Sequence, residues 1–149
     1  MEWLNALRGN IIAIDTAPFI YLVEQHPTYL PVVRPLFQAI DRGEIAAVTS
    51  MLTVLEVLVR PLRINNQELA DEYRNVLLNS RNLRVLVPSQ EICETAAGLR
   101  ATSNLRTPDA LQLATALYAG ATHFLTNDSS ISEVSHVQRV LLNDYLPGN

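Results

Sequence analysis

The chain has 149 residues, 48% of them hydrophobic, enough to bury one core and too few for two ordinary domains, so a single domain over residues 1–149 is expected. A formal charge of −4 and a pI near 5.3 exclude the broad basic surface of a protein that holds nucleic acid mainly through its phosphates. All 11 basic residues are arginine, which excludes a P-loop lysine and Schiff-base chemistry. The lone Cys93 has no internal disulfide partner and fits a reduced, cytoplasmic setting. No apolar run approaches the roughly 20 residues that span a bilayer, and the N-terminus lacks the pattern of a signal peptide, so no membrane association is expected.

In chain order, residues 11–14 form the first β-branched run, and Asp15-Thr16 then leads into a helix over 18–24, with a side-chain oxygen as cap and a proline in the first turn. Residues 29–41 read as a second helix closed by Gly43. A strand over 45–49 precedes a helix over 52–59 that stops at Pro61, and another helix covers 68–78. After a strand at 83–87 comes a helix over 90–100. Thr107-Pro108-Asp109 then reads as a helix start, with threonine as cap, proline in the first turn and an acid at the positive dipole end; this helix runs to about Ala119 and Gly120. Strands over 122–126 and 137–142 complete the pattern. Short strands alternating with longer helices predict an α/β domain with a mainly parallel sheet of five strands, covered on both faces.

Four acids stand out. Asp15 and Asp128 follow strands, at the edge where open α/β sheets bind ligands, although alone each also reads as a cap or turn residue. Glu56 sits in a helix that is apolar nearly all round and is therefore expected to be buried, where it needs a cation or a partner such as Arg60 one turn on. Asp109 alone is explained by the helix dipole. Together, with Thr16, Ser50, Thr126 and Asn127 supplying hydroxyl and amide groups, they describe a cluster of hard oxygen donors. Converging carboxylates repel unless protonated or bridged by cations, and oxygen ligands favour Mg²⁺ or Mn²⁺ over zinc.

The stretches Ile14-Asp15-Thr16, Thr53-Val54-Leu55-Glu56-Val57, Arg106-Thr107-Pro108-Asp109-Ala110-Leu111-Gln112-Leu113-Ala114-Thr115-Ala116 and Phe124-Leu125-Thr126-Asn127-Asp128 resemble the successive motifs of the PIN-domain family, particularly its VapC-type toxin branch. They occur in the family's order and span nearly the whole chain. The resemblance implies a five-stranded parallel sheet in an α/β/α sandwich, Mg²⁺- or Mn²⁺-dependent endoribonuclease activity, frequent homodimers and inhibition by a cognate antitoxin protein. It places the catalytic and metal-ligand roles on Asp15, Glu56, Asp109 and Asp128, with Thr16, Thr126 and Asn127 in support. Ala17-Pro18, where the family often carries a small polar residue, departs from the pattern at a supporting hydrogen bond.

Arg60, Arg63 and Arg106 are candidates for substrate phosphates, Arg106 foremost because it directly precedes the Asp109 helix; solvated surface is the plain alternative for each. His26, His123 and His136 share no ligand spacing. The apolar face of Val33, Leu36, Phe37 and Ile40 serves either the core or a partner. Two other functions compete: a catalytically inactive PIN-like binding module, and an aspartate-dependent phosphatase, against which stands Ala17 where that chemistry needs a second aspartate.

Overall fold

The structure, a computed structural model, describes residues 1–134 and 136–148. A short helix α1 (Glu2–Asn5) precedes β1 (Ile11–Ile14), α2 (Thr16–Val23), α3 (Leu30–Asp41), β2 (Ala46–Ser50), α4 (Met51–Arg63), α5 (Gln67–Leu78), β3 (Leu83–Leu86), α6 (Gln90–Ala101), α7 (Thr107–Tyr118), β4 (His123–Thr126) and β5 (Gln138–Leu141); a 3₁₀ turn, Leu142–Tyr145, follows. The strands form one sheet in the order β3-β2-β1-β4-β5, every pairing parallel. The expected α/β class with a five-stranded parallel sheet is the class observed.

Alternation along the strands explains the layering. Ile12, Ile14, Ala47, Leu125 and Val140 point to one face, where Leu36 and Ile40 of α3, Val57 of α4, and Tyr73 and Leu77 of α5 pack on them. Ala13, Val48 and Phe124 point to the other, against Leu113 and Ala116 of α7. Helix α6 then packs on α7 through Ile92, Ala96, Ala110 and Ala114. Both faces are thereby covered, giving an α/β/α sandwich. Val33, Leu36 and Ile40 lie in this core, so the face they share with Phe37 is not open to a partner.

Three local expectations are corrected. Helix α4 passes through Pro61 and ends at Arg63. Proline there forfeits only the bond to Val57, and the amide of Asn66 donates back to the Pro61 carbonyl at 2.8 Å to close the end. Thr107 does not cap α7: the extended residue at the cap is Arg106, and the Thr107 hydroxyl instead accepts a hydrogen bond from Arg100 at 2.9 Å. Nor is α4 buried all round. Its buried residues, Thr53, Val57 and Pro61, form a single stripe, whereas Leu55, Val59 and Leu62 are exposed.

The order of strands creates the site. From β1 the chain moves outward through β2 and β3, then returns to lay β4 on β1's other side. The carboxyl ends of β1 and β4 thus flank the point where the winding reverses, the place where such sheets open a crevice. The amide of Asp15 donates to the Leu125 carbonyl at 2.9 Å, holding the two strand ends together just before the chains diverge.

Candidate active site

One cleft of about 270 Å³ at this crevice is lined by Asp15, Glu56, Asp109 and Asp128, together with Thr16, Arg106 and Gln112. Asp15 leaves β1 as the cap of α2. Its Oδ1 accepts from the Thr16 amide at 2.8 Å and its Oδ2 from the Thr126 hydroxyl at 2.8 Å. Burial pushes the Asp15 carboxyl above its usual range, against those two hydrogen bonds, and the charges of Asp109 and Asp128 add to the rise.

Thr126 is fully buried and serves two acids, since its oxygen also accepts from the Asp128 amide at 3.1 Å. Asp128 is held by the Ser130 hydroxyl at 2.6 Å and the Ser130 amide at 2.9 Å. Those bonds, helped by the charge of Arg106, keep its carboxyl below the usual range. Asp109 is buried in the first turn of α7, where Nε of Arg106 reaches its Oδ2 at 3.2 Å; the same guanidinium lies 4.0 Å from Asp128.

Glu56 departs from expectation. It sits on the exposed side of α4, at the rim of the cleft, and its carboxylate accepts from the Thr16 hydroxyl at 3.1 Å. Partial burial of that carboxylate pushes it upward, and the charges of Asp15 and Asp109 act in the same sense. Arg60, its expected partner, instead pairs with Glu24 at 2.7 Å, because α4 packs beside α2. Asn127 also turns away from the acids: its amide nitrogen donates to the Tyr21 hydroxyl at 3.1 Å and its oxygen accepts from the Asn143 amide at 3.1 Å. It ties the end of β4 to α2 and to the 3₁₀ turn. Ser50 caps α4 through the Leu52 amide, and exposed Arg63 ends that helix. His123 and His136 line a separate groove beside Glu133, while His26 accepts from the Thr28 amide.

Beneath the cleft runs a buried polar chain that spacing alone did not reveal. Gln112 Nε2 donates to Thr53 Oγ1 at 2.8 Å, Thr53 and Thr49 share a hydrogen bond at 2.9 Å, and Thr49 donates to the Ile14 carbonyl at 2.8 Å. The Thr16 hydroxyl lies 3.3 Å from Thr53 and joins this chain to Glu56. Gln112 stands one helical turn after Asp109, and Thr53 one turn before Glu56. That spacing is the only sequence signal for either, and it is shared with many ordinary helix residues.

Four carboxylates around one cleft match the oxygen chemistry of a divalent cation, and such an ion would relieve the like charges that add to the upward push of burial on Asp15 and Glu56. Each carboxylate is nevertheless engaged by a protein donor. Among the described residues no three acidic, histidine or cysteine side chains stand close enough to hold an ion as they are.

With this arrangement in view, the comparison with known families decides the assignment: residues 12–137 match the PIN domain. The chain belongs to the PIN domain family. Solved structures agree on the PIN fold. VapBC2 from Rickettsia felis, bound to a DNA fragment from its promoter, is 14% identical, with a TM-score of 0.70 over 88% of this chain and 98% of that one. A toxin–antitoxin complex from Klebsiella pneumoniae is 22% identical, with a TM-score of 0.61 over 87% of this chain and 95% of that one. VapBC-5 from Mycobacterium tuberculosis is 16% identical, with a TM-score of 0.56 over 89% of this chain and 98% of that one. No curated protein matches this PIN domain in sequence.

Proposed function

We propose that this PIN domain is a Mg²⁺- or Mn²⁺-dependent endoribonuclease and the toxin of a toxin–antitoxin pair. The observation that carries the reading is the meeting of Asp15, Glu56, Asp109 and Asp128 on one cleft at the reversal of strand order. These four acids would hold the ion, whose chemistry when bound is to lower the pKa of water and neutralise charge on a phosphodiester. Thr126 orients Asp15 and Asp128 through one oxygen, and Thr16 orients Asp15 through its amide and Glu56 through its hydroxyl. The Arg106 side chain is 74% exposed, with Asp109 at its Nε edge and Asp128 4.0 Å from a terminal nitrogen, so it can offer its remaining N–H groups to a phosphate. Arg60, spent on Glu24, is the weaker candidate.

An antitoxin partner is supported by the complexes in which neighbouring folds occur. The exposed Leu55, Val59 and Leu62 on α4 offer an antitoxin, or a second copy in a homodimer, an apolar stripe. The engagement of every carboxylate by a protein donor favours one competing reading, a PIN domain kept for binding without catalysis. Cleavage of a pooled, labelled RNA by wild-type and Asp15→Asn protein in Mg²⁺, Mn²⁺ and EDTA separates them. Metal-dependent fragments that vanish in the variant support the nuclease; no cleavage under any condition overturns it.

A further inference from the structure

Two grooves open off the acidic cleft, and their chemistry differs. The first lies between the turn joining α6 to α7 and the loop after β4; it shares Arg106 and Asp109 with the cleft, and Asn104, Leu105, Ser130, Ile131 and Ser132 extend it. Its volume is about 570 Å³, within the range of about 300–1,000 Å³ typical of small-ligand sites. The second shares Ile20 and Glu56 with the cleft and continues along Glu24, Arg60 and Tyr73, with a volume of about 320 Å³. In that second groove the one arginine is paired with Glu24, which also accepts from the Tyr73 hydroxyl, so a phosphate entering would meet Glu56 with no free cation in the groove to offset it.

The first groove balances its charges, because Arg106 offsets Asp109. Asn104 and Ser132 are exposed there, and their side chains make no hydrogen bond to any described residue. Leu105 and Ile131 supply an apolar floor. Among the described residues no aromatic ring lines it, and the Arg106 guanidinium is its one extended planar cation, so the groove offers a base or ribose chiefly hydrogen bonds. Resting on the nuclease reading, we propose that this groove seats one nucleotide of the single-stranded RNA next to the scissile phosphate, with Asn104 and Ser132 contacting its base or ribose. The strand leaves the cleft on this side and not past Arg60.

Steady-state cleavage of pooled single-stranded RNA, with the fragment ends sequenced, tests this. Asn104→Asp and Ser132→Asp should each raise KM at least about fivefold, the scale of a lost hydrogen bond with added charge repulsion, and leave the melting temperature unchanged. Asn104→Ala should alter the nucleotide preference beside the cut. Arg60→Gln, in the opposite groove, should change KM less than about twofold, as for an exposed ion pair. Unchanged KM and preference in the first-groove variants, or a larger effect from Arg60→Gln, overturns the strand path while leaving the nuclease reading intact. Failure of the parent protein to cleave removes both.

Discussion

Replacing Thr53 by valine tests the buried polar chain beneath the acids. Valine keeps the shape and removes only the hydroxyl, at a position with no solvent exposure. Thr49 retains the Ile14 carbonyl and Thr16 retains Glu56, so one group loses its partner outright: the Gln112 amide nitrogen, in a side chain 2% exposed. A buried donor left unsatisfied costs about 1–3 kcal/mol, and Thr-to-Val is not neutral for this reason. At about 2 kcal/mol, a chain of this size should melt about 4–8 °C lower. Thermal unfolding followed by circular dichroism measures the loss. Thr53→Val/Gln112→Leu removes both partners and should recover about 1 kcal/mol relative to the single variant. A melting temperature within about 1 °C of the parent, or strict additivity in the double variant, would refute the claim that Thr53 is the hub.

Because burial and like charges hold the Asp15 carboxyl above its ordinary value, the folded state binds its proton more tightly than the unfolded state. Its contribution to stability therefore falls as pH rises from 3.8 through the raised value. Asp15→Asn should accordingly be no less stable than the parent in EDTA at neutral pH while losing RNA cleavage; a lower melting temperature contradicts the electrostatic account. Added Mg²⁺ or Mn²⁺ should raise the parent's melting temperature by mass action and leave that of Asp15→Asn unmoved, whereas equal shifts in both place the metal elsewhere. Arg106→Ala should lower kcat/KM for RNA about tenfold or more, the scale of one charge-assisted hydrogen bond, and an effect no larger than that of Arg60→Ala removes Arg106 from the substrate path. Burial holds His123 below its ordinary 6.5, so its protonation opposes folding and stability is lost as pH falls below that value. His123→Gln should flatten the pH dependence of chemical denaturation between about pH 7 and 5, and an unchanged slope rejects it.

Several features are legible in the sequence because they are written in local chemistry. Apolar runs bounded by Asp15 and by Asn127-Asp128 mark strand ends, and the helical periods between them mark crossovers, so five parallel strands follow from the sequence alone. The four acids also stood out by position, and the motif resemblance added their catalytic and metal-ligand roles. Local reading failed where packing overrides a local signal: Pro61 argues for a stop, yet it is buried within α4 and the helix runs on to Arg63.

What only the tertiary structure decided is which distant groups meet. The order β3-β2-β1-β4-β5 brings Asp15 beside Asp128, a consequence of β4 pairing with β1 that no spacing encodes. Glu56 reads as buried from its apolar neighbours, but only one stripe of α4 faces the core and the glutamate falls outside it. Arg60 chooses Glu24 over Glu56, Asn127 chooses Tyr21 and Asn143 over the cleft, and Gln112 finds Thr53 across the sheet edge. Secondary structure answers to forces within a few residues, and so it can be read along the chain. The choice of a polar partner is settled by whichever complementary group the packed elements bring within about 3 Å, and that is fixed only once the layers close.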